Sequence, residues 1–267
     1  CKHMKRVEWI KEHLEDVNFW KFTQYYFFKQ WNALREYANT KGIKIIGDMP
    51  IYTALDSSDV WANPNLFQLG SDLKPKLVAG CPGDDFAPLG QLWGNPLYDY
   101  KVMKQDDYSW WVRRVEVAVK LFDTIRIDHF RGFEAYFTIP YGDKDALRGH
   151  WKKGPNVKLF NAIKKDLGAV DIIAENLGFL TPGVHKMLNK LGYPGMKILE
   201  FGFDPKGDSE HMPHHLTKSD VVYTGTHDNL PVRAWYDTLN DAEKAFLHEY
   251  LYFNNPYEVG NELIRAA

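Results

Sequence analysis

Short apolar runs alternate with helical patterns along most of this 267-residue chain. Five of the runs predict β-strands, at 43–48, 124–128, 170–175, 196–203 and 221–226. The predicted helices are 16–40, 111–122, 156–167, 181–191, 231–237, 241–251 and 258–267. Buried parallel strands form unbroken apolar runs and are joined by crossover helices. The pattern therefore predicts an α/β protein built on a parallel sheet.

The segment 51–98 departs from this alternation because it has weak periodicity and many turn residues. Within it, 67–69 and 76–79 predict a small hairpin. A connection of this length is uncommon in a compact domain unless it has a function. We therefore expect a long functional loop insertion.

Charge and cysteine content argue against several classes of partner. The 33 Lys+Arg and 35 Asp+Glu residues leave a net charge of −2, which offers no attraction to nucleic acid or an anionic membrane. The two cysteines, Cys1 and Cys81, form no CxxC motif, which favours a reducing, cytoplasmic setting. No apolar run is long enough to cross a bilayer. The N-terminus has no signal-peptide pattern and does not begin with Met, so an excised or processed chain is expected.

Acidic residues stand where four of the predicted strands end. Asp48, Asp128 and Glu175 each close a strand, and His227-Asp228 follows the fifth predicted strand. Catalytic groups of (β/α)8 barrels lie at the carboxyl ends of the strands. A closed barrel needs eight strands, so the five predicted here indicate an incomplete barrel.

Two of these carboxyl groups have contrasting predicted surroundings. Arg126 and Asp128 are two residues apart on a strand, so they face the same side, and the guanidinium keeps the carboxylate ionised, as a nucleophile requires. Glu175 follows an apolar strand, so burial is expected to raise its pKa, as a general acid requires. A structural ion pair at Asp128 and a capping or salt-bridging role at Glu175 remain open.

The His227-Asp228 pair can bind hydroxyl groups or stabilise positive charge. No third ligand stands at a recognised metal-site spacing, so no metal is expected there. Two carboxyl groups acting as nucleophile and acid/base, with a third binding the sugar, fit the cleavage of a glycosidic bond.

Six ordered motifs between about residues 20 and 250 resemble the 4-α-glucanotransferases (amylomaltases) of glycoside hydrolase family 77, in the α-amylase clan. The motifs are IIGDMPIY (45–52), LWGNPLY (92–98), IRIDHFRGF (125–133), IIAENLG (172–178), PGMK (194–197) and YTGTHDN (223–229).

The resemblance implies a catalytic role for three residues: Asp128 as nucleophile, Glu175 as acid/base, and Asp228 as a ligand of the sugar hydroxyls. Arg126 and His227 would support them, and Asp48 would be a scaffold partner. Trp93 and Asn95 would lie in the acceptor-side loop. The remaining substrate-binding positions implied are Tyr52, Phe86 and His129.

The implied activity is retaining transfer of α-1,4-glucan segments to the 4-hydroxyl of another sugar, without cofactor or metal. The expected partners are maltooligosaccharides and other α-1,4-glucans. Family members are longer chains, and the motifs match strands three to seven of the barrel. We therefore expect 1–267 to be a single partial (β/α)8 catalytic domain with an insertion at 51–98. Its open sheet edges could pair with the missing parts of the same enzyme.

Some positions depart from the family pattern. Asn176 follows the acid, Leu230 follows the last motif, and Gly83 loosens the loop that contains Phe86, which puts acceptor preference in doubt. The alternative interpretations are an α-glucan hydrolase of the α-amylase clan and an inactive glucan-binding fragment. The simplest is an α/β domain whose acids form structural ion pairs.

Overall fold

The computed structural model describes residues 2–83, 87–178 and 180–267 and confirms the predicted α/β class. Its strands are β1 (Ile46–Met49), β2 (Leu77–Cys81), β3 (Gln91–Pro96), β4 (Thr124–Ile127), β5 (Ala135–Pro140), β6 (His150–Lys153), β7 (Ile172–Ala174), β8 (Gly195–Ile198) and β9 (Asp220–Tyr223). Its α-helices are α1 (Lys2–Glu12), α2 (Leu14–Thr40), α3 (Ser58–Ala62), α4 (Tyr100–Met103), α5 (Ser109–Leu121), α6 (Val157–Leu167), α7 (Pro182–Leu191), α8 (Val232–Thr238), α9 (Asp241–Leu251) and α10 (Val259–Ala266).

The five predicted strands form two parallel sheets. One has the order β1-β4-β7 and the other pairs β8 with β9. The Ala174 N–H donates to the Pro194 carbonyl over 2.9 Å and so connects β7 to the residue before β8. The strand predicted at 196–203 is too long, because β8 ends at Ile198 and a 3-10 turn follows at Leu199–Phe201.

All seven predicted helices are confirmed, as α2 and α5 to α10. Three of them are followed by a glycine with positive φ, namely Gly42 (75°) after α2, Gly168 (76°) after α6 and Gly192 (71°) after α7. Glycine adopts this conformation at little cost, which explains why these helices end there. None of the helices in the described ranges is long and apolar enough to cross a membrane.

A four-stranded antiparallel sheet with the order β3-β2-β5-β6 lies beside the parallel strands. The predicted hairpin is wrong: Leu69 makes an isolated bridge to Pro75, whereas β2 pairs with β3 and with β5. Strand β5 comes after β4, so the partner that completes this sheet is far along the chain. Local periodicity carries no signal for such a pairing.

The described residues form two main hydrophobic cores. The larger one joins the first parallel sheet to α5, α6 and α7 through side chains such as Ile125, Trp111, Phe160 and Met187. The second gathers α8, α9 and α10 around residues that follow β8, among them Leu199 and Met212. The segment that follows β8 therefore packs into the second core rather than the first.

Helix α2 is attached by polar contacts rather than by burial, since none of its residues is buried. Trp31 Nε1 donates to the Leu121 carbonyl over 2.8 Å, and Arg35 forms a 2.8 Å ion pair with Asp123. A backbone hydrogen bond from Ile45 and the Arg35 contact lower the pKa of Asp123 to about 2. Asp123 therefore ties α2 to the start of β4.

Candidate active site

A cleft of about 540 Å³ opens beside the carboxyl ends of β4 and β7. Asp128 follows β4 directly and Glu175 follows β7, and both line the cleft together with Arg126 and Asp228. The structure thus brings the three predicted catalytic carboxyl groups to one cavity. The antiparallel sheet also lines the cleft, with Trp93 on β3.

Arg126 joins two carboxylates from neighbouring strands. Its position on β4 is directly opposite Asp48 on β1, and its Nη1 lies 2.7 and 2.8 Å from the two Asp48 oxygens. The same nitrogen is 3.2 Å from Asp128 Oδ1. Asp48 therefore forms an ion pair with Arg126 across two neighbouring strands. Arg126 Nε also lies 3.3 Å from Met196 Sδ, which fixes the guanidinium from the side of β8.

Arg126 favours the ionised form of Asp128, as the sequence predicted, but burial decides the net shift of the Asp128 pKa. Burial raises the pKa of Asp128 above its ordinary value, and the Arg126 guanidinium opposes that shift without cancelling it. The Asp48 carboxylate adds to the rise because its negative charge repels that of Asp128. The contact between Arg126 and Asp128 is confirmed, and the net shift of the Asp128 pKa is upward.

Glu175 is the more deeply buried acid. Its Oε2 accepts the His129 N–H and its Oε1 accepts the Leu177 N–H, both over 2.7 Å. Burial nevertheless raises its pKa, as the sequence predicted, although the two N–H groups favour the ionised form. The carboxyl group is thus held in one orientation while its proton is retained to a higher pH than that of an exposed glutamate.

His129 has an unusual backbone with φ 47°, in the left-handed region that few non-glycine residues adopt. Burial lowers the pKa of its ring to about 4, so the imidazole is neutral at pH 7. The ring meets Trp93 edge-to-face, with centroids 4.8 Å apart. Because its backbone N–H binds Glu175, this strained residue connects the acid to the aromatic wall.

Asp228 and His227 lie on the turn that follows β9. Both side chains are 68% exposed, and His227 Nε2 is 3.5 Å from Asp228 Oδ1. Asp228 lines the main cleft, whereas His227 lines a smaller cavity of about 220 Å³ with Asp48 and Arg126. The structure therefore separates the predicted pair between two adjacent cavities.

The predicted acceptor-side residues differ in placement. Trp93 is 36% exposed and lines the cleft, with its Nε1 donating to Gln91 Oε1 over 2.9 Å. The expectation of direct substrate contact needs correction for Tyr52, which is only 8% exposed and packs in the larger core. Asn95 binds the Thr53 carbonyl through its Nδ2 over 3.0 Å and so holds the loop. Phe86 lies outside the described residues.

Sequence reasoning missed a second aromatic element of the cleft. Arg131 places its guanidinium 3.6 Å from the centroid of the Trp151 ring, and both residues line the cavity. Trp151 lies on β6, whose position follows from the unpredicted antiparallel sheet. No local motif marks this tryptophan as a cleft residue.

Two departures from the family pattern have structural explanations. Asn176 Oδ1 accepts the Met196 N–H over 2.6 Å, so this side chain joins the end of β7 to β8. Gly83 packs so closely that an added Cβ would lie 2.3 Å from the Pro88 carbonyl oxygen, so its environment is tight rather than loose. Leu230 is 52% exposed.

Glu200, in the turn after β8, is a further buried acid that the sequence pattern did not mark. Burial raises its pKa to about 7, and its Oε1 has no hydrogen-bond partner among the described residues. Its carboxyl group lies against Gly225, where an added Cβ would be 2.8 Å from that oxygen. Glu200 therefore underlies the turn that carries Asp228.

The fold and the cavity define a class: α/β proteins with a carboxylate-lined cleft at the carboxyl ends of parallel strands. The family model described as 4-alpha-glucanotransferase, glycoside hydrolase family 77, matches residues 2–267. The chain belongs to this family, which confirms the resemblance drawn from the six motifs.

Individual relatives agree with this assignment. The 4-alpha-glucanotransferase of Clostridium butyricum is 51% identical over 242 residues, covering 90% of this chain and 50% of that protein. The chloroplastic/amyloplastic enzyme of Solanum tuberosum is 43% identical over 267 residues, covering 46% of its own length. The amylomaltase of Streptococcus agalactiae, solved in complex with acarbose, matches 99% of this chain and 54% of its own, with TM-score 0.95 and 42% identity. The chain thus spans about half the length of the curated relatives it matches.

Proposed function

We propose that the five parallel strands are strands three to seven of a (β/α)8 barrel and that residues 1–267 form one partial catalytic domain. The strand orders β1-β4-β7 and β8-β9, with the Ala174–Pro194 hydrogen bond between the sheets, support this arrangement. In a barrel of this type, the remaining strands would lie between β9 and β1. The remaining parts of the same enzyme are the partner that we propose for this edge.

The proposed activity is a retaining 4-α-glucan transfer. The observation that carries it is the meeting of Asp128 and Glu175 in one cleft, with Arg126 on Asp128 and backbone donors on Glu175. A raised pKa lets Glu175 hold the proton that a leaving sugar oxygen needs. The Arg126 contact favours the ionised form of Asp128, which a nucleophile requires.

The proposed transfer has two chemical steps. In the first, an Asp128 oxygen bonds to the anomeric carbon while the glycosidic bond breaks, and the Glu175 proton goes to the leaving oxygen. In the second, the 4-hydroxyl of an acceptor attacks the same carbon and releases Asp128, while its proton returns to Glu175. Two inversions retain the α-configuration. Asp128 and Glu175 follow adjacent strands of one sheet, as the short carboxyl separation of a retaining pair requires.

The other cleft residues have binding roles in this proposal. Asp228 accepts hydrogen bonds from ring hydroxyls, and its exposure leaves its oxygens open to a ligand. His227 supports it from the neighbouring cavity, and Arg126 and Asp48 fix the position of Asp128.

Trp93 offers a partly exposed ring on which a glucose unit can stack, and His129 holds that ring in place. α-1,4-Glucans are the proposed substrates, and the acarbose bound by the Streptococcus agalactiae relative supports a sugar ligand.

Hydrolysis is the second candidate, and the exposure of Asp228 favours it. A 68% exposed carboxylate at the cleft leaves room for water to compete with an acceptor sugar. Water attacking the anomeric carbon in the second step would give a shorter glucan instead of a transferred one. A glucan-binding chain without turnover is the remaining alternative.

Incubation of the 267-residue chain with maltotriose, followed by separation of products by size, tests the proposal. Longer maltooligosaccharides together with glucose are expected. Glucose and maltose without longer products would instead identify a hydrolase. Binding of maltotriose without any product, from folded chain, would overturn both activities and leave glucan binding.

A variant of Asp128 and a matched control test whether the transfer activity depends on the proposed nucleophile. We expect Asp128→Asn to abolish transfer with little change in the free energy of unfolding, because the side chain makes one ion pair and is partly exposed. Asp166→Asn, on the exposed surface of α6, is the control and should transfer normally. Equal loss of folding and activity in Asp128→Asn would support a purely structural ion pair.

A further inference from the structure

Three possible metal ligands meet in the connection between β8 and β9, on residues that do not line the catalytic cleft. His214 Nε2 lies 3.0 Å and His215 Nε2 lies 2.8 Å from the same oxygen, Asp208 Oδ1. All three ligand atoms lie within 4.8 Å of one another. Two imidazole nitrogens therefore already lie next to one carboxylate oxygen, and the three atoms are close enough to share a metal ion.

The two histidines are held by the backbone rather than by a mobile loop. They belong to a 3-10 turn at Pro213–His215, which begins after Met212, a residue only 2% exposed in the second core. The His215 N–H donates to the Met212 carbonyl over 3.0 Å. The backbone that carries both imidazole rings is thus anchored by a buried residue two positions before His214.

Tyr250 on α9 orients the first imidazole. Its hydroxyl lies 2.7 Å from His214 Nδ1, so the hydrogen bond on one side of the ring directs Nε2 towards Asp208. In the tautomer with a hydrogen on Nδ1, that nitrogen donates to the tyrosine oxygen and leaves the Nε2 lone pair free. Metal-binding histidines are commonly oriented by such a contact on the second nitrogen.

The ligand set selects the type of ion. Imidazole nitrogen and one carboxylate suit Zn²⁺ and similar transition metals, whereas Ca²⁺ and Mg²⁺ need mostly oxygen ligands. With metal–nitrogen distances of about 2.0–2.1 Å, tetrahedral ligands stand roughly 3.3 Å apart. The present 2.8 and 3.0 Å separations must widen by a few tenths of an ångström, which these half-exposed side chains permit.

We propose that Asp208, His214 and His215 form a binding site for a Zn²⁺-type divalent ion, with water completing the coordination. The ion would join the β8–β9 connection to α9 through the His214–Tyr250 contact. This site stands apart from the catalytic proposal because none of its residues lines the cleft of Asp128 and Glu175. Its role is therefore structural, and its loss leaves glucan chemistry untouched.

Titration of the chelator-treated chain with Zn²⁺, followed by calorimetry, tests the proposal directly. One ion per chain is expected, and an equal concentration of Ca²⁺ should not displace it. His214→Gln and His215→Gln should each weaken Zn²⁺ binding by about tenfold or more, and Tyr250→Phe by about tenfold. With Co²⁺ as a coloured probe, the same variants should lose the visible absorption of the bound ion.

His185→Gln is the matched control, since His185 is an exposed histidine on α7 that is not one of the three ligands. It should bind Zn²⁺ as the parent chain does. The absence of a one-to-one Zn²⁺ site, or equal weakening in the control, would overturn the proposal. Thermal unfolding gives a second measurement, because Zn²⁺ should raise the Tm of the parent chain and leave that of His214→Gln unchanged.

Discussion

Glu175 is fixed by two backbone hydrogen bonds, and under the proposed mechanism the same carboxyl group is the general acid. Both oxygens accept backbone N–H groups, from His129 and Leu177, so an amide in this place would turn an NH2 towards one of them. We expect Glu175→Gln to lower the free energy of unfolding by about 1–3 kcal/mol. Under the proposed mechanism it should also reduce transfer by about 10²–10⁴-fold, since the general acid is lost.

Urea unfolding and the rate of maltotriose conversion measure the two effects separately. Glu36→Gln, on the exposed face of α2, is the control and should alter neither. A Glu175→Gln chain that is destabilised but transfers at the normal rate would remove Glu175 from the chemistry.

The raised pKa of Glu200 should make the free energy of unfolding depend on pH. Its pKa rises from 4.5 to about 7 in the folded chain because of burial, so folding favours the protonated form. The resulting stabilisation is complete below the unfolded pKa near 4.5 and is lost as the pH rises through about 7. Glu200→Gln carries no such charge and should therefore become more stable than the parent chain above pH 7, on the order of 1 kcal/mol after solvent screening.

Urea midpoints at pH 4.5, 6 and 7.5 are sufficient to measure this divergence between the two chains. Glu249→Gln on α9 provides an exposed control that should follow the parent chain at every pH. Parallel curves for the parent chain and Glu200→Gln would show that the buried carboxyl group keeps an ordinary pKa.

At the scale of elements, the parallel strands were predictable and the antiparallel sheet was not. Strand β4 is buried at all four positions, so the burial of the strand can be read from its own apolar sequence. Strand β6 has the sequence HWKK, and its neighbour β5 pairs with the distant β2. Stabilisation from such non-local pairs leaves little trace in local sequence.

The site residues differ in the same way, because those that follow parallel strands could be predicted and those in the segment 51–98 could not. Asp128 and Glu175 could be predicted because each follows a recognisable strand, and strand ends of one parallel sheet lie together. Tyr52 and Trp93 lie in the segment with weak periodicity, and nothing local tells which ring is buried. The structure assigns Tyr52 to the core and leaves Trp93 half exposed because β3 pairs with β2.

Besides the Ala174–Pro194 backbone hydrogen bond, one side chain joins β7 to β8. Asn176 Oδ1 supplies the acceptor for the Met196 N–H, at a point where Met196 itself is only 1% exposed. Asn176→Ala leaves that N–H without its acceptor and should lower the free energy of unfolding by about 1–3 kcal/mol.

Asn176→Asp keeps an oxygen at the same place and should lower the free energy of unfolding by less than Asn176→Ala does. The difference between the two variants isolates the hydrogen bond. Asn254→Ala, at an exposed position after α9, should leave the urea midpoint unchanged. A loss in Asn176→Ala no larger than that in Asn254→Ala would contradict a structural role for this junction.

At the scale of the whole molecule, α2 presents an apolar surface that the rest of the described chain does not cover. Its exposed aromatic side chains are Phe19, Trp20, Phe22, Tyr25, Tyr26, Phe27, Phe28 and Tyr37. Monomeric proteins rarely expose a contiguous apolar patch larger than a few hundred Å². Because the net charge is only −2, electrostatic repulsion between chains is weak.

We therefore expect the isolated chain to associate through this helix as its concentration rises, as measured by sedimentation velocity. The double variant Trp20→Lys and Phe22→Glu keeps the net charge and should shift the chain towards monomer, with unchanged circular dichroism. The matched control is Tyr257→Glu with Ile264→Lys, at apolar positions that are 83% and 67% exposed but lie outside α2. A parent chain that stays monomeric at all concentrations, or a control that dissociates it equally well, would show that the exposed aromatic side chains of α2 do not drive association.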